Sequence, residues 1–299
     1  MAIDAEQREW EQRLRVPAAV CAVLAGVLTL VGSFILTTLP SAPAIGVLQA
    51  LTPAFEGRPD ATDNPRAAIV EWRDDNMGTL LLSSVFTALG LLCMGVVLLY
   101  LYRATASRRE GTPRVTRYAI YFGPIVCAIA GVAVTLALGA QASDFLSGTD
   151  RSRDAVEDAL AGGPIAVLAG FQYAGLLALA VATVLVALNA MRAGLLTRFM
   201  GVLGIIVGVL FVIQFGALPL VQAVWLVGLA PLLMQRWPGG QPPAWERGEA
   251  VPWPSQQELR EARMRAAEQR TGAAAVDDAA EPAPAPKPSA ASRKRKRRR

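Results

Sequence analysis

Histidine is absent from all 299 residues. That removes the commonest general base near neutral pH and the commonest metal ligand. Lysine is scarce as well: the basic side chains are 26 arginines against 3 lysines. Cysteine occurs only as Cys21, Cys93 and Cys127, each inside an apolar run, so no disulfide can brace an exposed loop. A thiolate is disfavoured in such surroundings, and no histidine exists to activate the thiol. No phosphate-cradling glycine loop, dinucleotide fingerprint or zinc-ligand spacing occurs. These absences exclude the common routes to catalysis, so the expectation is a protein with no catalytic residues, no metal site and no cofactor.

Charge is missing in a more informative way. None of the 29 basic and 24 acidic side chains falls inside six long apolar runs. The runs are Val16–Leu39, Thr79–Tyr102, Tyr118–Ala140, Ile165–Ala190, Met200–Leu218 and a shorter one from Leu220 to Met234. Most exceed the ~18–20 residues that carry a helix across ~30 Å of hydrocarbon. They are too continuous for barrel strands, and lipid tolerates no other backbone. The chain therefore reads as an all-α, polytopic membrane protein with spans at 16–39, 79–102, 118–140, 165–190, 200–218 and 220–236. Pro219 and Pro231 flank and interrupt the last span, which makes it a short span or a re-entrant piece. The first run is longer than the apolar part of a signal peptide, so an uncleaved first helix is expected.

Arginine in short loops resists translocation and sets orientation. Segment 1–15 carries three arginines, loop 103–117 five and loop 191–199 two, whereas acids outnumber arginines in loops 40–78 and 141–164. With six spans the segments on the termini's side sum to +11 and the opposite ones to −6. Both termini are expected in the cytoplasm, with 40–78 and 141–164 outside.

Residues 1–15 read as a short charged helix at the cytoplasmic face. In the first outer loop, Asn64 and Pro65 suit a helix start, and Gly78 suits a break before the second span. In the second, Asp150 or Ser152 suits the cap of a helix ending at Gly162 and Gly163. Acidic helices of this kind read as solvated surface, with Glu71 and Glu157 as the only candidates for a membrane-border enzyme. The hairpins also resemble one another. Cys21 stands eight residues before Thr29, as Cys127 does before Thr135, and Phe86 with Gly90-Leu-Leu matches Phe171 with Gly175-Leu-Leu. A 2+2+2 arrangement of helical hairpins follows.

Past the spans, 235–254 is rich in Pro, Gly and Trp. It reads as an extended segment whose Trp237, Trp245 and Trp253 lie along the headgroups. Residues 255–271 read as a charged helix with a Ser255–Glu258 capping box. Residues 272–299 read as a disordered Ala/Pro linker ending in seven basic side chains, Arg293, Lys294, Arg295, Lys296, Arg297, Arg298 and Arg299. Such a tail suits anionic headgroups of the inner leaflet, or an acidic membrane or cytoplasmic protein, ahead of nucleic acid.

Within the spans, Gly123, Gly131 and Gly139 form a small-residue stripe, and Gly204 and Gly208 a GxxxG pair; both let helices approach closely, within one chain or between copies of it. The notable intramembrane polar side chains are Gln172 and Gln214, each expected in an interhelical hydrogen bond or beside a solute path. The stretch "LLTRFMGVLGIIVGVL" (195–210), with its short basic loop and glycine-patterned helix, resembles uncharacterised bacterial, actinobacterial-type multipass membrane proteins over about 165–234. That resemblance implies a bacterial plasma membrane and transfers no activity. The leading expectation is a non-enzymatic membrane component that meets lipids or proteins through its cytoplasmic tail. The alternative is a transporter or facilitator of a neutral or lipid-like solute.

Overall fold

Each of the four longest charge-free runs becomes one helix; three overshoot their runs at both ends, and the first starts well before its run and stops at Thr37, short of Leu39. A computed structural model describes residues 3–45, 52, 55–57, 64–109, 111–213, 219–238, 240–253, 257–258 and 260–266. Among them the main helices are α1 (Ala5–Thr37), α2 (Ala67–Asp75), α3 (Met77–Ala106), α4 (Arg114–Ser147), α5 (Arg153–Ala161), α6 (Gly163–Arg192), α7 (Arg198–Ile213), α8 (Leu220–Leu233) and α9 (Pro243–Arg247). No strand occurs among the described residues. Four helical stretches are long and apolar enough to cross a membrane, carried by α1, α3, α4 and α6. Large apolar side chains such as Phe34, Ile129 and Phe171 stay exposed on their outer faces, as lipid contact allows. This is a helical membrane protein.

Two further apolar helices are described. At 1.5 Å per residue, the described part of α7 runs roughly 24 Å and α8 roughly 21 Å, against a ~30 Å hydrocarbon core. The junction 214–218, which includes Gln214, lies outside the described residues, as do the linker and Arg293 to Arg299. Of the charged helix expected at 255–271, residues 257–258 and 260–266 are helical, with Arg265 and Glu261 3.6 Å apart. Contact clustering sets Pro254–Arg299 apart from Met1–Trp253.

Local chemistry departs from the expected boundaries in three places. The N-terminal helix is not separate, because α1 runs from Ala5 straight through Pro17. Asp4 caps it by accepting from the Gln7 amide at 2.8 Å, and Pro17 removes a single helical donor without ending the helix. Gly78 marks no break. The chain turns at Asn76, whose Nδ2 donates to the Trp72 carbonyl at 2.7 Å and closes α2, leaving Gly78 inside α3. The segment after α8 does not run along the headgroups but folds back on the bundle. The Trp245 and Trp253 indoles donate to the Leu195 and Leu196 carbonyls, each at 2.9 Å, and Val251 N–H donates to Ala193 at 3.0 Å.

That folded-back cap covers a cluster on the face where the arginine-rich loops meet. Arg108, only 2% exposed, grips Glu11 of α1 through both guanidinium nitrogens, Nη2 at 2.8 Å from Oε2. It also donates through Nε to the Ala244 carbonyl at 3.2 Å. Trp10, Tyr100 and Trp245 stack beside it with centroids 5.5 and 6.1 Å apart. The cap needs glycine at one point. Gly194 has φ +77°, and a Cβ there would run into the Val251 carbonyl. Gly194→Ala is therefore expected to lift 249–253 off the bundle, exposing Glu249 to Trp253 to limited proteolysis. Gly170→Ala, which meets open space, should leave the digestion pattern unchanged.

The same order of elements recurs on the opposite face. A long helix, a nine-residue helix and a second long helix follow one another in α1–α2–α3 and again in α4–α5–α6. Ser152 caps α5 by accepting from Ala155 N–H at 3.3 Å, and Asp150 accepts from Ser152 N–H at 2.8 Å, which holds its carboxyl below the usual range. Asn64 accepts from Arg66 N–H at 3.0 Å and turns the chain into α2. Val70, Ala142, Phe145, Val156 and Ala159 form a small second core there. The hairpin registers differ, however. Gly90 packs on Ala25 and Thr29, whereas Gly175 packs on Val126 and Cys127, about two turns from the position the sequence alignment implies.

Candidate functional site

Between these hairpins the four long helices fail to close. A cavity of about 620 Å³ extends to the α2 end of the bundle, where Trp72 and Arg73 line it; α1, α3, α4 and α6 wall it, with Phe211 and Gln222 behind. On α3 alone its lining runs from Met77 to Leu91, roughly 21 Å along the helix axis. The volume lies within the range usual for small-molecule sites.

The wall chemistry is neutral and polar in the middle. Most hydroxyls are already turned onto helix carbonyls: Thr29 donates to Ala25 at 2.7 Å, Ser84 to Leu81 at 2.9 Å and Thr135 to Gly131 at 3.0 Å. Ser83 instead crosses to the Gly32 carbonyl of α1 at 2.8 Å, tying α3 to α1. Each retains lone pairs that can accept but has no donor to spare.

Gln172 is different. Its backbone carbonyl accepts from Cys127 Sγ at 3.5 Å, but its side-chain amide forms no hydrogen bond to a described residue. The interhelical bond expected for this amide is thus missing, and the group is left lining the cavity with two donors and an acceptor unused. Gln222, which sequence reasoning passed over, lines the same cavity; its Nε2 has only Met94 Sδ at 3.9 Å. The signal available was an amide in an otherwise apolar stretch, the property that marked Gln172 and Gln214.

The glycines of the sequence stripe occupy unlike environments. Gly123 lies against the α6 backbone, where a Cβ would stand 2.6 Å from Leu179 N; Gly131 faces the cavity, 3.4 Å from Gln172 Nε2; Gly139 meets the Met77 side chain. Gly204 and Gly208 sit between α7 and α6, with Trp225 also against Gly204. The α2 end holds the one cation that lines the cavity among the described residues. Arg73 is half-buried on α2, and desolvation lowers its pKa. Glu71 and Glu157 are exposed; Glu157 lies 3.9 Å from Arg153 and does not reach the cavity. No cluster of metal-ligating side chains occurs among the described residues. No protein-family model, curated protein or solved structure matches this chain.

Proposed function

We propose that this membrane protein holds an amphiphilic, lipid-like solute in the cavity between its two long hairpins and serves as a non-enzymatic facilitator or carrier for it. One observation carries the reading: the Gln172 amide lines a 620 Å³ cavity inside the bundle and has no hydrogen-bond partner among the described residues. An unpartnered amide in hydrocarbon is costly, and a ligand carbonyl or hydroxyl would satisfy it. The resemblance of 195–210 supports a bacterial plasma membrane, and the arginine-rich loops support both termini in the cytoplasm, so that the α2 end of the cavity would lie toward the outer face.

The test is retention of a neutral single-chain amphiphile, 1-monolaurin, by the purified chain in native mass spectrometry. Wild type is expected to carry one copy. Gln172→Leu should weaken retention by roughly two- to tenfold, the worth of one hydrogen bond, while the melting temperature stays level or rises. Equal retention by both would remove the reading.

A second reading rests on the tail. Seven basic residues beside an anionic leaflet attract it by about 1 kcal/mol each, and an acidic protein would serve as well. On this reading the chain is a membrane component acting through its cytoplasmic end. Deleting 255–299 should then abolish a partner's co-purification or cellular function, with Gln172→Leu silent in both.

A further inference from the structure

Arg73 raises a question that the solute reading leaves open. Its Nη1 is buried and has no hydrogen-bond partner among the described residues. Its neighbours on α2, Asp74 and Asp75, are exposed and make no ion pair with it. Among the described residues no acid lines the cavity. A partly desolvated guanidinium with an unmatched donor is an unfavourable arrangement, and the planar fork suits the oxygens of a carboxylate or phosphate best. Nor does the cation look misplaced. Trp72 beside it donates to the Pro40 carbonyl at 3.0 Å, pinning α2 over the end of α1, and Val70 anchors the same helix in the small second core. Arg73 is thus held at the α2 end of an elongated chamber whose lining reaches Leu91, Leu176 and Phe211.

We infer that the cavity takes a single-chain anionic amphiphile, its carboxylate or phosphate head on Arg73, its chain running inward past Gln172 to the Leu91–Phe211 end. This rests on the solute reading above and names the class of solute. A cation at one end and apolar walls at the other orient such a molecule head-outward, which a neutral lipid would not require. The outer face carries more acids than bases, so the attraction is local to this arginine.

The experiment uses the full-length chain in maltoside micelles, titrated with dodecyl phosphate, laurate and 1-monolaurin and read by native mass spectrometry. Wild type is expected to bind dodecyl phosphate or laurate about tenfold more tightly than monolaurin, the scale of one charge-assisted contact. The stronger of the two anions identifies the head. Arg73→Gln should erase that preference and leave monolaurin within about twofold, and Arg73→Lys should keep part of it. A thermal melt of each variant checks the fold; should Arg73→Gln be unstable, the comparison of anion with monolaurin on wild type and Arg73→Lys still decides. No anion preference in wild type, or one that survives Arg73→Gln, overturns the inference while the cavity reading stands. Failure to retain any of the three amphiphiles overturns both. Displacement of dodecyl phosphate by millimolar inorganic phosphate would show that the chain contributes nothing and would also overturn it.

Discussion

Replacing Arg108 with leucine is expected to destabilise the protein by roughly 3–5 kcal/mol, the cost of stranding one member of a buried ion pair. The guanidinium supplies the fork to Glu11, the donor to Ala244, a further donor to the Ala104 carbonyl at 2.9 Å, and a face over the Trp245 ring at 5.4 Å. Without it the Glu11 carboxylate keeps only Gln7 Nε2, at 3.1 Å, and α9 loses its bond from Arg108 to the Ala244 carbonyl, keeping that of Trp245 to Leu195. The loss should appear as a lower melting temperature in detergent together with new protease cleavage in 237–253. Removing both charges tells why. Glu11→Leu with Arg108→Leu leaves no unpaired ion, so the double variant should regain more than half of the lost stability. A double variant as unstable as Arg108→Leu would mean that packing around the guanidinium stem, rather than charge pairing, holds the cap.

Gly123→Ala and Gly131→Ala should part company, although the sequence presents the two glycines as equal members of one stripe. At Gly123 the added methyl meets the backbone of Leu179, and Gly175 makes the reciprocal contact with Cys127 N at 2.8 Å, so neither helix has a flexible end to move aside. Separating α4 from α6 should cost about 1–3 kcal/mol by overpacking, read as a lower midpoint in SDS titration. At Gly131 the nearest group is the end of the Gln172 side chain, at 3.4 Å. The alanine gains up to ~1 kcal/mol of helix propensity there, and stability should hold or rise. Its methyl enters the cavity beside the free amide, so amphiphile retention should fall instead. Equal losses of stability in both variants would contradict the placement of Gly131 at the cavity wall.

Helices were legible because their cause is local. A charge-free run of about twenty residues has few alternatives in lipid, and the turn at Asn64 and the cap at Ser152 announce α2 and α5 through their own side chains. The cavity was not legible, because it depends on which helix faces meet and in what register. The eight-residue Cys–Thr spacing repeats in both hairpins, yet the glycine contacts fall about two turns apart, and no property of either segment alone records that offset. Arg73 was hidden by its neighbours: between Glu71 and Asp74 it reads as one more charge on a solvated loop. The tryptophans misled for a related reason. Indoles at 237, 245 and 253 suit a headgroup belt, and the carbonyls that Trp245 and Trp253 actually bind lie 50 and 57 residues away.

The unbroken course of α1 has a mechanical meaning. Thirty-three residues in one helix make a rod of about 50 Å, with Glu11 near one end locked to Arg108, and Thr29 and Ser33 near the other forming cavity wall. A rod transmits tilt: swinging the Glu11 end about a fixed middle displaces the Ser33 end the opposite way. Pro17 lies between them, with one helical hydrogen bond fewer, and is the compliant point where such a lever flexes first. The polar latch beneath the bundle and the chamber near its other face thus share one continuous helix, and tilting it at one end would be felt at the other.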